Sequence, residues 1–433
     1  MDITITPAKR VVGDIKLPGD KSISHRLALL GSISAGQTSI ENFASSLDCH
    51  STLECLRALG AAVEERGSNH IHIEGRGLDG FAPPQKILDA GNSGSTIRML
   101  SGILAGQRFQ STITGDESLR RRPMKRVLVP LEQMGATIHA TEGNYPPLTI
   151  SGGKLKPIRY TLPEASAQVK SAILLAGLYA EGNTTVIEPV PTRNHTELAL
   201  RQFGGHLAID GNTITIAGRQ QLQGIQTKVP GDISSAAFFL AAAALLASSE
   251  VRMDGVGLSA GRRGIVDLML KMGASIEIGN QRTEGGEFIG DLCARTSELK
   301  GGKIAGNNAA QVIDEIPIVA VLGTQTAEGI EIRDASELRI KESDRIRSIV
   351  DNLRAMGATV EEFPDGLFVA GQQSLQGTRI NTHGDHRIAM AFAIGGLIAR
   401  GETVIQDAEC AGVSFPNFFK TLKKLTSGQS RSQ

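Results

Sequence analysis

The residues best equipped for chemistry stand in short polar clusters, each directly ahead of an apolar run. The first reads "LPGDKSISHR", Leu17 to Arg26, and the run "LALLGSI" follows at once. Further along, "GNSGSTIR" supplies Asn92, Ser93, Gly94 and Arg98, and "ASAQVK" supplies Ser166, Gln168 and Lys170. "GDHR" adds Asp385, His386 and Arg387, while the basic stretches "LRRRPMKR" (to Arg126) and "LRIKESDR" (to Arg345) follow other elements. A helix leaves its first backbone N–H groups unpaired and carries partial positive charge at that end, so an anion is favoured there. Several such starts aimed at one place would hold a multiply anionic ligand. Taken singly, each cluster has an ordinary reading. Ser22 or Ser93 can be an N-cap, the arginine stretches can be solvated or laced with i,i+4 ion pairs, and His25 and His386 can be structural. Recurrence of cationic or amide groups at the same place in most copies favours the anion site.

Carboxylates are the other candidates. Asp314-Glu315 in "QVIDEIPIV" opens a buried-type helix, where a lone acid would only complement the helix dipole. Two acids there, with Lys341 and Glu342 downstream, look like proton-transfer equipment. A nucleotide loop fails on spacing: five residues separate Gly13 from Gly19, and Asp20 intrudes before Lys21. There is no dinucleotide fingerprint, no metal-spaced His/Cys/Asp cluster and no nucleophile elbow. Cofactor-free, metal-free chemistry on phosphorylated small molecules remains.

The elements that must position these groups come as an internal repeat. Segments beginning at Gly19, Gly91, Ala165, Gly231, Asp314 and Gly384 each open with a small or polar turn and run about four helical turns of Ala, Leu and Ile. In five of the six a glycine follows (Gly36, Gly106, Gly182, Gly329, Gly401), the expected left-handed cap before a strand. A second, amphipathic helix then ends alike in "LRALGAAVE", "LEQMGATIH", "MLKMGASIE" and "LRAMGATVE", with a looser "RQFGGHLAI". Each repeat of about 70 residues is therefore strand–helix–strand–helix–strand. The first helix, apolar on nearly every face, should be buried, and the second partly exposed. The expected class is α/β, with helices inside and sheets around them. The tripeptide "PGD" at Pro18 and again at Pro230 places two chain crossings near 18–20 and 229–232. Residues 19–229 then form an N-terminal domain, and 1–18 plus 230–433 a C-terminal one, with 1–18 contributing a strand.

Bulk composition narrows the partners. Forty-five basic residues balance forty-five acidic ones, so there is no polyanion signature and no nucleic-acid partner is expected. The longest apolar run, Ala236 to Ala247, is too short to span a bilayer, and the start lacks a signal-peptide pattern. Four cysteines in 433 residues make no disulfide framework. The expectation is a cytoplasmic protein, without membrane partners, and a monomer.

The motifs "GDKSISHR", "GNSGSTIRMLSG", "GDESLRRRPM", "ASAQVKSA", "PTRNHTE", "PGDISSAAFF", "IDEIP", "ELRIKESDRI" and "GDHRIAMAFA", in this order, resemble the 3-phosphoshikimate 1-carboxyvinyltransferases, or EPSP synthases. The resemblance covers essentially the whole chain and is nearest the Bacillus-like branch. It implies a two-domain inside-out α/β barrel-like fold of six βαβαββ repeats, three per domain, closing on the ligands. It also implies enolpyruvyl transfer from phosphoenolpyruvate to shikimate 3-phosphate on the way to chorismate and aromatic amino acids. By resemblance, Lys21, Ser22, Arg26, Ser166, Gln168, Arg193, Asp314 and Lys341 hold shikimate 3-phosphate. Lys21, Gly94, Arg122, Gln168, Arg345 and Arg387 hold phosphoenolpyruvate. Asp314, Glu342 and Lys21 are the implied catalytic groups. One departure is Val413 in "CAGVSFPNFF", where many members carry a lysine. Two alternatives stand beside this resemblance. UDP-N-acetylglucosamine enolpyruvyl transferases commonly carry a loop cysteine, absent from "TGDESLRRRPM". A non-catalytic anion-binding scaffold has no use for Asp314-Glu315.

Overall fold

The computed structural model describes residues 1–67 and 69–427. The six apolar runs form helices Lys21–Ile33, Gly94–Ala105, Ala167–Gly177, Ile233–Leu245, Ile316–Gly323 and His386–Ile398. Asp20, Ser93, Ser166, Asp232 and Asp385 cap five of them, each side chain accepting a first-turn backbone N–H. The Ile316 helix has Pro317 in its first turn and no side-chain cap. Asp314 and Glu315 belong to the turn ahead of it, so the acids precede this helix instead of lying in its first turn.

Each four-stranded sheet follows one plan. Leu88–Asp89, ahead of a buried helix, pairs in parallel with Gln110–Thr114 behind it. That strand pairs antiparallel with Tyr145–Ser151, which pairs antiparallel with Thr137–Thr141. The parallel step needs a crossover, and the buried helix supplies it. The amphipathic helix then connects to the hairpin.

The chain divides into two compact units: residues 19–229 with 284–286, and residues 1–18, 230–283 and 287–433, of which 428–433 lie outside the described residues. In the first unit, Gln226–Lys228 supplies the leading strand for the first repeat, parallel to Gln37–Glu41. In the second, residues 1–18 contribute two strands where the sequence suggests one. Val12–Ile15 runs parallel to Glu250–Gly257, and Ile3–Ile5 runs antiparallel to Thr403–Ile405 in another sheet. The sixth repeat departs from the plan, because its sheet has three strands and its closing strand is Ile3–Ile5. The chain runs on to helix Phe418–Thr426, where Phe418 packs its ring 5.7 Å from Phe238 and 5.5 Å from Phe239.

Each unit has its own apolar core built around its three apolar helices, of which Ile316–Gly323, at eight residues, is shorter than the four turns expected. Fully burying a Leu or Ile contributes about 1.5–3 kcal/mol, so these helices are held by packing more than by propensity. Their small residues allow close approach: a Cβ on Gly102 would lie 2.2 Å from the Ala172 carbonyl oxygen of the neighbouring helix. Of the five post-helix glycines, Gly36, Gly182, Gly329 and Gly401 have the expected positive φ, but Gly106 does not. Gly106 answers to space, since a Cβ there would meet the Tyr179 ring at 2.1 Å. The four cysteines are free, and burial pushes the Cys55 thiol up to about 12, which makes it a poor nucleophile. Among the described residues no helix is long and apolar enough to cross a membrane.

Candidate active site

In the first unit, Lys21 opens its helix and its Nζ lies 2.7 Å from Asp48 Oδ2. Asp48 stands in the first turn of helix Leu47–Ala58. Its carbonyl is 3.4 Å from Thr96 Oγ1, which links the Lys21 and Gly94 helix starts. Arg26 is buried, one turn on. Its Nη1 donates to the Ser22 carbonyl at 2.8 Å, its Nε to Thr196 Oγ1 at 2.7 Å and its Nη2 to Ser171 Oγ at 2.8 Å. Arg26 thus fixes Ser22 and ties three helices together.

Gln168 bridges two more starts, accepting from Arg98 Nη1 at 2.7 Å and donating to Ser95 Oγ at 2.9 Å. Arg122 Nη2 donates to Asn92 Oδ1 at 2.7 Å and to Ser118 Oγ at 3.1 Å. Of the basic stretch through Arg126, Arg122 is the buried arginine, while Arg120 and Arg121 are exposed. Gly94 sits below these guanidinium groups: a Cβ would be 2.7 Å from Arg98 Nη1 and 3.5 Å from Arg122 Nη1. Its φ lies outside the left-handed region, so the position requires space, not glycine's backbone freedom. Ser166 caps its helix, half-buried, and Arg193 is half-buried in the loop before helix His195–Gln202.

Two residues grouped with the polar starts turn inward. Lys170 Nζ lies 2.8 Å from Glu188 and 2.6 Å from Glu197, all three buried. Glu188 also accepts the Thr192 N–H at 3.2 Å and so anchors the loop carrying Arg193. His25 Nδ1 is 2.7 Å from Thr52 Oγ1, which is 2.6 Å from Thr96 Oγ1, which donates to Ser93 Oγ at 2.8 Å. Burial, with Lys21 and Arg26 close by, holds the His25 imidazole well below its ordinary value, so it is neutral at pH 7.

The second unit gathers acids. Arg345 is 1 % exposed, with Nε 2.7 Å from Asp385 Oδ2, Nη2 on Glu342 and Nη1 3.7 Å from Asp314 Oδ1. Burial opposes its charge, but Asp385 and Glu342 outweigh burial and hold the guanidinium above its ordinary value. Arg387 Nη1 donates to the Asp314 carbonyl at 2.8 Å and lies 3.4 Å from Glu315 Oε1, with Nη2 3.9 Å from Asp314 Oδ2. The adjacent acids therefore divide: Glu315 is buried at 4 % side-chain exposure, and Asp314 keeps 19 %. Lys341, next to Glu342 in sequence, has its Nζ 3.0 Å from Glu337 Oε1.

Within the first unit, Lys21, Ser22, Arg26, Gly94 and Gln168 thus stand in the first two turns of linked helices, and Arg122 reaches them from the loop after helix Glu117–Arg120 through Asn92. Within the second, Asp314, Glu342, Arg345 and Arg387 form one contact group. The sequence did not point to Asp48 or to Asp385 as carboxylate partners of Lys21 and Arg345. Asp48 reads as an ordinary first-turn acid, and nothing local pairs it with a lysine twenty-seven residues earlier.

The family model for EPSP synthase (3-phosphoshikimate 1-carboxyvinyltransferase) matches residues 5–422. The chain belongs to the EPSP synthase family. It is 54% identical over 425 residues to the 3-phosphoshikimate 1-carboxyvinyltransferase of Solibacter usitatus (strain Ellin6076), covering 98% of this chain and 100% of that one. To that of Geobacillus kaustophilus (strain HTA426) it is 49% identical over 416 residues, covering 95% and 97%. The solved EPSP synthase from Acinetobacter baumannii superposes with a TM-score of 0.87 at 40% identity, covering 98% of both chains. The enolpyruvyl transferase NikO from Streptomyces tendae, at 18% identity and a TM-score of 0.79, shares the fold. These comparisons give the EPSP synthase reading and none favours the UDP-N-acetylglucosamine alternative.

Proposed function

We propose that this EPSP synthase family member transfers the carboxyvinyl group of phosphoenolpyruvate to the 5-hydroxyl of shikimate 3-phosphate and releases phosphate. The observation that carries the reading, beside family membership, is the Asp314 carboxylate: it is partly exposed and stands within 4 Å of two arginines. Addition joins the hydroxyl oxygen to C2 of phosphoenolpyruvate as C3 takes a proton and the hydroxyl gives one up. Elimination removes a C3 proton, breaks the C2–O bond to phosphate and restores the double bond. Asp314 accepts the hydroxyl proton, with Glu342 and Lys21 as the further acid/base groups. Fixed cations suit a path whose charge shifts among carboxylate and phosphate oxygens.

Lys21, Ser22, Arg26, Ser166, Gln168, Arg193, Asp314 and Lys341 hold shikimate 3-phosphate in this reading. Lys21, Gly94, Arg122, Gln168, Arg345 and Arg387 hold phosphoenolpyruvate. No cofactor is required, and the working form is a cytoplasmic monomer of two domains, 19–229 and 1–18 plus 230–433. Phosphate release with both substrates present, and none with either alone, is the expected result. Release from phosphoenolpyruvate alone at the same rate would overturn the reading.

A further inference from the structure

Three residues of the second unit with no role in the proposed reaction form a continuous chain to one that has. Arg262, 5 % exposed, donates from Nη2 to Asp232 Oδ1 and to Ser234 Oγ, each at 3.0 Å. Asp232 is the cap of helix Ile233–Leu245 and accepts the Ser234 N–H at 2.8 Å, so the cap fixes both partners. The Ser234 hydroxyl donates to Glu315 Oε1, and the same oxygen faces Arg387 Nη1 at 3.4 Å. The starts of helices Ile233–Leu245, Ile316–Gly323 and His386–Ile398 are thereby connected by side chains alone.

Proton bookkeeping fixes the direction. A guanidinium only donates, so Ser234 accepts from Arg262 and its single proton goes to Glu315. Glu315, an acceptor on both sides, then faces Arg387 Nη1. Arg387 in turn donates to the Asp314 carbonyl at 2.8 Å. A guanidinium on a flexible stem is a precise ligand only when its plane is set by such contacts. We propose that Arg262, Ser234 and Glu315 are positioning residues: they set the Arg387 guanidinium, and through it the turn carrying Asp314, for phosphoenolpyruvate. None of them needs to touch substrate.

The proposal rests on the function given above, and one set of kinetics separates the two. Phosphate release is followed for the wild type, Ser234→Ala, Glu315→Gln, Glu315→Asp and the double variant Ser234→Ala/Glu315→Gln, with each substrate varied in turn. Glu315→Gln should raise the KM for phosphoenolpyruvate about 10-fold or more, the scale of a lost charge-assisted contact, with the KM for shikimate 3-phosphate within about 2-fold. Glu315→Asp keeps the charge but retracts the carboxylate, and should resemble Gln. Ser234→Ala should show the same split more weakly, and the double variant should be no worse than Glu315→Gln, because the chain is already cut. Additive effects, or equal changes in both KM values, would overturn the relay. So would a lowered melting temperature with unchanged kinetics, the mark of a merely structural network. A wild type that releases no phosphate counts against the function itself. An active wild type whose variants keep the parent phosphoenolpyruvate KM counts against the relay alone.

Discussion

Arg26, Arg98 and Arg122 in the first unit donate to oxygens of serine, threonine, glutamine and asparagine, whereas Arg345 and Arg387 in the second face Asp314, Glu315, Glu342 and Asp385. At these contacts of the first unit the acceptors are neutral, and a neutral acceptor orients a guanidinium without neutralising its charge. Carboxylates orient it and cancel it, so an anion arriving there is selected by fork geometry more than by net charge. Acids packed around fixed cations are also what a proton-transferring site requires. These arginine contacts therefore differ between the two units of one repeated fold. Two lysines of the first unit do meet carboxylates: Lys21 Nζ lies 2.7 Å from Asp48 Oδ2, and the fully buried case is Lys170. It is buried between Glu188 and Glu197, and the contrast predicts that it serves stability.

Lys170→Met should have the largest effect, because it leaves two buried carboxylates without their cation. Breaking a buried pair costs about 3–5 kcal/mol, read as a lowered melting temperature; an unchanged one would place Lys170 with the ligand-binding cations after all. Next comes Asp314→Asn, which keeps shape but removes the basic oxygen. The expected outcome is a kcat lowered by roughly 100-fold or more, about 2.7 kcal/mol, with calorimetric binding of shikimate 3-phosphate largely preserved. Near-normal turnover would move the proton acceptor elsewhere in the acidic group.

Gly94→Ala probes the first unit's arginine contacts more gently. The new methyl must displace Arg98 Nη1, which lies on the flexible end of its side chain, so the fold should tolerate it. Phosphoenolpyruvate should weaken, and a longer analogue such as glyphosate more so, by about 1–3 kcal/mol as for a methyl group placed in a fitted pocket. Equal weakening of both, with a fall in melting temperature, would remove Gly94 from the site. The smallest effect belongs to His25. Its folded pKa is held well below the ordinary 6.5, so neutral His25 contributes stability in full above about pH 6.5. That contribution is lost as pH falls below it, by at most about 1.4 kcal/mol per pH unit. Melting temperatures from pH 7 to 5 should fall less steeply in His25→Gln than in the wild type. Parallel slopes would show that His25 does not carry this dependence.

Much of this was legible in the chain because it is periodic or local. Ala- and Leu-rich runs can only be buried helices, and a glycine after such a run starts a turn. A serine or aspartate caps five of the six, so most of the polar starts were readable one by one. The repeat made the α/β class readable too. Side-chain direction was not legible. Lys170 and Gln168 lie two residues apart on the same helix start, yet one points into the core and the other bridges Arg98 and Ser95. Asp314 and Glu315 are adjacent and alike in charge, and packing alone buries one and leaves the other partly open. The sixth repeat could borrow its closing strand from residues 3–5 only once the chain ends met in one sheet. Pairings such as Lys21 with Asp48, or Arg345 with Asp385, join residues far apart in sequence. A charge carries no local mark of its partner, so the sequence by itself determined the helices and the chemistry at their starts. Only the tertiary structure decided which charge each cation would meet, because that depends on which starts the packed helices bring within a few ångströms.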